Sequence, residues 1–282
     1  MYPPRELRPD PIPLRSLHAT PSAKFSIVTP VLNQSEFVEA TIQSVLQQRY
    51  PLLEYMVIDG GSKDGTQEVV SKYTDQLAYF ESAKDSGQAD AINKGFRRAT
   101  GDIYAWINAD DLLLPGTLAL VAGFFDENPL VDVVYGNRVV IDERGAEIGR
   151  WALPGHSDRL LSWLDVVPQE TLFWRASAWE KVNKQVDASF QFAMDWDLLV
   201  RFRDAGLKIV HLPRFLGAFR AHAKQKTVAQ INDVGVFEME RIQRRCLGYK
   251  PSKGQLYLAA APYVVRHVFT SHLDSLRRTF CS

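Results

Sequence analysis

Short runs rich in β-branched and aromatic residues alternate along this chain with stretches of helical spacing, and the early runs end in loops of Asp, Asn and Gly. Phe25-Ser26-Ile27-Val28 is the first run; after Asn33 and Ser35, Val38, Ile42, Val45 and Leu46 recur at helical intervals. Tyr55 to Ile58 is the second, closing in Asp59-Gly60-Gly61-Ser62-Lys63-Asp64-Gly65 before Val69, Val70 and Tyr73. Leu77 to Phe80 reads as a third strand, Ala91 to Arg98 as a helix and Ile103 to Ile107 as a fourth strand. A helix from about Pro115 and a strand from Val131 to Tyr135 follow. Strands alternating with helices predict an α/β fold with a Rossmann-like, mostly parallel central sheet covered by helices on both faces. Such sheets bind ligands beyond the carboxyl ends of their strands, so the loops after the strands are the candidate site.

The fourth strand is the most telling of these. Trp106-Ile107-Asn108-Ala109-Asp110-Asp111 runs from apolar residues into two adjacent carboxylates, hard oxygen ligands that suit a divalent cation beside a phosphorylated ligand. The same two acids also suit the cap of a helix beginning near Pro115, and this run alone leaves both readings open.

A chain of 282 residues with 46% hydrophobic content can bury a sizeable core. Its 33 basic and 33 acidic residues cancel, so no global field draws it to nucleic acid, and any anion site must be local. Cys246 and Cys281 form no disulfide or zinc framework, which fits a reducing, cytoplasmic compartment. The start lacks the charged and apolar regions of a signal peptide, and no run approaches the ~20 apolar residues of a spanning helix. Prolines at 3, 4, 9, 11, 13 and 21 interrupt any regular element, so residues 1–22 read as an extended arm or as a disordered tail without function.

Taken in order, the runs SIVTPVLNQSEFVEATIQSVLQQ, VIDGGSKDGT, AKDSGQADAINKGFRRATGDIYAWINADD and FAMDWDLLVRFRDAG resemble the successive motifs of glycosyltransferase family 2. The resemblance covers about residues 24–225. It implies a GT-A fold, a nucleotide-sugar donor, a divalent cation and inversion at the anomeric carbon. The division it suggests is a Pro-rich arm over 1–22, a GT-A domain over 23–225 and a C-terminal helical extension over 226–282.

Residue by residue, Pro30 to Asn33 matches the first donor loop, with Leu32 where the family commonly has Tyr. Asp59 matches the acid that hydrogen-bonds the nucleobase, which suits the imide N–H of uracil or thymine. Asp85 matches an acid near the sugar diphosphate, and Asn93 lies on the helix that follows. Asn108-Ala109-Asp110 stands for the DxD element, Asn108 keeping an oxygen acceptor without the charge. The resemblance thus makes Asp110 a metal ligand, with Asp111 assisting and His222, in an RxH-like segment, as a third contact. The cations Lys224 and Lys226 after it would close over the donor. Mg²⁺ or Mn²⁺ would stabilise the departing nucleoside diphosphate as a Lewis acid. Asp195 matches the catalytic base that takes a proton from the acceptor hydroxyl; Asp197, two positions on, faces elsewhere and supports it. Gln169, Glu170 and Trp174 fall in a segment leading to the acceptor, where Trp174 is expected in the core.

Lys226 to Leu247 reads as a helix, and the apolar stretch from Leu256 to Phe269, broken by Pro262, is expected to cover the core, pair with another subunit or touch a membrane surface peripherally. The resemblance implies transfer of one sugar, from a UDP-sugar by preference or a GDP- or dTDP-sugar, to a saccharide or lipid-linked acceptor in cell-surface polysaccharide or glycolipid assembly. A processive synthase is disfavoured by the missing QxxRW. A nucleotidyltransferase or dinucleotide enzyme is disfavoured by the missing glycine-rich phosphate loop. A catalytically degenerate sugar-nucleotide-binding scaffold is the alternative that Leu32 and Asn108 keep open.

Overall fold

A computed structural model describes residues 1–10, 23–223, 225 and 231–281. Nine strands among them form one sheet: β1 (Phe25–Val31), β2 (Leu53–Asp59), β3 (Tyr79–Ser82), β4 (Ile103–Trp106), β5 (Leu112–Leu113), β6 (Val133–Ile141), β7 (Glu147–Trp151), β8 (Phe173–Arg175) and β9 (Ile209–Arg220). Their order is β3-β2-β1-β4-β8-β6-β9-β5, with β7 paired to β6. The first four strands are parallel, β1 lying between β2 and β4. Antiparallel pairs then enter at β4–β8, β8–β6, β6–β7 and β5–β9, so the sheet is parallel in its first half and mixed in its second.

Alternation along the strands sorts side chains into two cores. Phe25, Ile27 and Val31 of β1 join Tyr55 and Val57 of β2 under α1 (Val38–Leu46), α2 (Thr66–Ser71) and α4 (Thr117–Glu127). Val28, Met56 and Ile58 point the other way, toward α3 (Gln88–Phe96) and toward α7 (Met194–Asp204). Each such side chain contributes about 1.5–3 kcal/mol on burial, enough to fix which strand face meets which helix. Helix α3 comes so close to β1 that a Cβ at Gly95 would lie 2.6 Å from both γ-carbons of Val28. Short α5 (Asp158–Leu161) and α6 (Ala176–Lys181) complete the domain, followed by α8 (Val236–Leu247) and α9 (Lys253–Cys281).

Several boundaries differ from the expected ones. The third strand starts at Tyr79, because a 3₁₀ turn over Thr74–Gln76 occupies the residues before it. The strand expected over 131–135 runs on to Ile141, since β7 and β9 both pair along its length. In the helix expected over 226–247, residues 226–230 lie outside the described ones, and a π-helical turn, Ile231–Gly235, precedes α8. Pro262 does not break the C-terminal stretch: α9 continues through it, the forfeited hydrogen bond falling where Pro262 is exposed.

The arm is described for its first ten residues only. Arg5 makes an antiparallel bridge to Glu147, and Tyr2 N–H donates to the Ile148 carbonyl at 2.9 Å. The buried Glu147 carboxylate receives Arg150 at 2.7 Å together with Arg5 and the Tyr2 hydroxyl. Burial works against its ionised form, but these hydrogen bonds outweigh burial and hold it at about 2. A carboxylate so depressed contributes stability that is present above its unfolded value near 4.5 and is lost as pH falls toward 2. Glu147→Gln should therefore release residues 1–10 to proteolysis at neutral pH and cost about 3 kcal/mol in denaturant titrations. Its deficit against the parent protein should shrink below pH 4.

Candidate active site

The sheet reverses its winding between β1 and β4, and the loops leaving these two strands open a cleft of about 450 Å³. Pro30, Leu32, Asp85, Asn108, Asp110 and Asp111 line it, as do Met194 and Gln191. Six of the residues expected at the site are thus together. Other expected residues do not line it.

Asn33 and Asp59 are two of these. Turns leave backbone N–H groups without ladder partners, and these side chains supply the acceptors. Asn33 Oδ1 accepts Lys63 N–H at 2.9 Å, while Asn33 N–H donates to Ser62 Oγ at 2.7 Å. Asp59, fully buried, accepts Ser62 N–H at 3.1–3.2 Å, the Ser62 hydroxyl, and the Ser82 hydroxyl at 2.5 Å. Its carboxylate organises the loop rather than opening to the cleft. Gly60 lets this loop lie against Asp85, whose Oδ2 would be 2.9 Å from a Cβ there. Asn93 does not face a donor either: its amide exchanges two 2.8 Å hydrogen bonds with the Val186 backbone, tying α3 to the segment that brings Phe190 to the cleft.

The adjacent acids after β4 diverge. Asp110 turns outward, its Oδ2 lying 3.0 Å from Nε2 of a buried His222 that packs on the Phe37 ring. Asp111 turns inward and is only 2% exposed, accepting the Arg220 N–H at 3.0 Å. Burial, then the charges of Asp110 and Glu170, push Asp111 well up from the usual carboxylate range. Arg220 clamps the turn further, donating from Nε to the Asp110 carbonyl and from Nη1 to the carbonyls of Asp142 and Glu143. Asn108 is held by Gln88, which donates to its Oδ1 at 2.7 Å.

No group of three or more His, Cys, Asp or Glu side chains forms a preformed metal cage among the described residues. The Asp110–His222 pair still fits a divalent cation. It offers one oxygen and one nitrogen, and His222 Nδ1 is buried with no protein partner. Diphosphate oxygens and water would complete the shell. A nitrogen donor favours Mn²⁺ over Mg²⁺. Asp111, turned away onto Arg220, leaves that role to Asp110. Lys224 and Lys226 lie outside the described residues.

Asp195 sits in the first turn of α7, directly after the cleft-lining Met194. Its Oδ1 accepts the Trp196 N–H at 2.9 Å. Burial raises its pKa; the Trp196 N–H and the Arg138 guanidinium oppose that, and Glu170 adds to it. Asp165, enclosed by protein although its edge opens to solvent, is pushed well up by that enclosure and by the Asp195 charge. Arg138 and Glu170 form a bidentate pair, Nε to Oε1 at 2.8 Å and Nη2 to Oε2. Gln169 donates to the Trp106 carbonyl, and Trp174 is wholly buried between Phe96, Trp106, Trp179 and Phe202. Glu170 and Gln169 are therefore framework, and Trp174 is core. Asp197 faces away from Asp195 and is fully buried between Arg201 and Arg245.

A curled sheet flanked by helices, with acids at the end of β4 and at the start of a later helix, defines a GT-A transferase domain. The chain belongs to glycosyl transferase family 2, whose model matches residues 26–177. A "PGL/p-HBAD biosynthesis glycosyltransferase" of Mycobacterium bovis is 30% identical over 181 residues, 63% of this chain and 68% of that protein. An "Uncharacterized glycosyltransferase" of Rickettsia felis is 30% identical over 126 residues, 44% of this chain but 21% of that longer protein. Among solved structures, S. aureus TarS 1–349 in complex with UDP-GlcNAc superposes with a TM-score of 0.64 at 18% identity, covering 89% of this chain and 74% of that one. The mannosyltransferase PcManGT from Pyrobaculum calidifontis, in complex with GDP-Man and Mn²⁺, gives 0.57 at 16%, covering 95% and 85%.

Three residues escape sequence reasoning. Arg138 has a signal, a lone cation inside the strand VVYGNRVVI. Asp165 has none. Glu238 of α8 has none either, yet its buried carboxylate accepts the N–H groups of Gln191, Phe192 and Ala193 at 2.7–2.9 Å and so sets the loop entering α7. Glu238→Ala should cost at least about 3 kcal/mol, because partners of a buried acceptor are left unpaired. A lowered Tm together with faster hydrogen exchange at residues 191–193 is the expected readout.

Proposed function

We propose that the protein is a metal-dependent, inverting glycosyltransferase that moves one sugar from a nucleotide-sugar donor to a hydroxyl of a saccharide or lipid-linked acceptor. The observation that carries this reading is the Asp110–His222 pair on a cleft that is also lined by Met194, the residue before Asp195. Single displacement needs a base on the face of the sugar opposite the leaving diphosphate, and the two groups supply those two ends.

Asp110 and His222 would hold Mg²⁺ or Mn²⁺, which when bound neutralises charge developing on the leaving diphosphate. Pro30 and Leu32 offer backbone and apolar surface to the base, with Asp85 and Asn108 nearer the sugar and diphosphate. The buried Asp59 and the exposed Asn33 keep that loop in shape. A UDP-sugar is the favoured donor, with GDP- and dTDP-sugars as the comparison set. Asp195 takes the proton of the acceptor hydroxyl as its oxygen attacks, and its raised pKa makes it a better base than an ordinary Asp. The Arg138 guanidinium favours its ionised form, against the opposing charge of Glu170.

Asp195→Asn should lower kcat about 10²–10⁴-fold while donor affinity measured by calorimetry stays within about twofold. Full turnover in that variant removes the assigned base. Because only ionised Asp195 accepts a proton, kcat/KM should fall as pH drops through a pKa above the ordinary 3.8. Arg138→Met removes a cation that favours the charged form and should move that acid limb further up, which a purely structural role would not do. Asp110→Ala should abolish the Mn²⁺ dependence of UDP-sugar binding and weaken it roughly tenfold or more; equal affinity with and without Mn²⁺ in the parent protein would exclude the metal role.

A further inference from the structure

Helix α9 is built the wrong way round for a water-facing element. Its half-buried stripe sets the polar His267, Thr270, Ser271 and Asp274 beside Leu256, Ala259, Ala260 and Tyr263. His267 Nδ1 and Ser271 Oγ are buried there without a protein partner. The outward arc is the apolar one: Tyr257, Leu258, Val264, Val265, Val268 and Phe269 are between 51% and 76% exposed, and Leu273 and Leu276 extend it. At 100° per residue these positions span about half the circumference. Half of the large hydrophobic side chains exposed among the described residues stand on this one helix. The exposed His272 and Ser275 interrupt the arc, but an apolar surface of this extent on a folded chain marks an interaction face.

Charge decides what covers it. The whole chain balances 33 cations against 33 acids, but the helix carries Lys253, Arg266, Arg277 and Arg278 against Asp274 alone. Lys253 and Arg266 are exposed at the two edges of the apolar arc, while Asp274 turns inward. A second copy of this face would bring the same cations together with no outward acid to meet them. An apolar arc edged by cations matches the acyl and headgroup layers of an anionic bilayer. No helix among the described residues is long and apolar enough to cross one.

We propose that α9 is an interfacial helix that lays its Tyr257-to-Leu276 face on an anionic lipid surface. Tyr263, on its inner face, is pushed up to about 12 by burial and by the charge of Asp165, which itself lies beside Asp195. On its inner side α9 packs against α5, which packs against α7, the helix that carries Asp195, so the bilayer would lie on that side of the domain. The membrane face stands on the helix alone; only its use to meet a lipid-linked acceptor rests on the transferase reading.

The test is sedimentation of the full chain with phosphatidylglycerol–phosphatidylcholine vesicles and with pure phosphatidylcholine vesicles, alongside sedimentation velocity without lipid. The parent protein should partition at least tenfold more onto the anionic vesicles. Val265→Glu with Phe269→Glu should lose at least tenfold of that binding with an unchanged circular dichroism melt and unchanged UDP-sugar binding. The proposal is overturned if the parent stays in the supernatant with anionic vesicles, or if the double variant sediments as well as the parent. A micromolar dimer that the double variant dissociates, without vesicle binding, assigns the face to a second copy instead. Vesicle binding by a protein that transfers no sugar would leave the membrane face standing and sink the transferase reading alone.

Discussion

The buried pair of Arg138 and Glu170 is the joint on which both halves of the cleft depend. Taking two charges out of water costs nearly what their attraction returns, so the pair is better understood by what it positions than by net stability. Arg138 belongs to β6 and Glu170 to the 3₁₀ turn Gln169–Thr171. The same turn is nailed to Gly136 through Thr171 and to the end of β4 through Gln169. From that junction the guanidinium favours the charged forms of Asp111, Asp165 and Asp195 together. One cation thereby tempers a region of four carboxylates.

Two adjacent acids, Asp110 and Asp111, end in opposite environments because a distant strand divides them. Arg220, the last residue of β9, spends its N–H on the Asp111 carboxylate and its side chain on the Asp110 carbonyl. His222, two residues later, meets the Asp110 carboxylate. The geometry of the turn after β4 is therefore completed by residues about 110 positions away, and neither part can form it alone.

The same distances explain what was legible in the sequence. β1, β2 and β4, with α1, α3 and α7, follow from periodicity, because each is a local pattern whose buried face is written in consecutive residues. The antiparallel strands β5, β7 and β8 are short and take their identity from partners, so no local signal marks them. The cleft residues Asp85, Asn108 and Asp110 were legible because motif and strand end coincide. Asn33, Asp59, Asn93 and Asp111 carry matching motifs, yet their side chains are consumed by backbone N–H or C=O groups within the fold. Whether a polar side chain faces a ligand or closes a turn depends on which backbone groups lack partners nearby, and that accounting is three-dimensional.

This asymmetry divides the site by origin. The half around the loops after β1 and β2 is made by consecutive strand–loop–helix units whose loops hold one another through Asn33, Ser62 and Asp59. The half around Asp195 is made by packing at long range: Glu238 grips the loop entering α7, and Arg245, also of α8, grips Asp197 inside it. Changes in α8 and α9 can therefore re-aim the Asp195 side without disturbing the loops after β1, β2 and β4. A fold that keeps one half local and the other remote can hold its donor chemistry constant while the acceptor it serves changes.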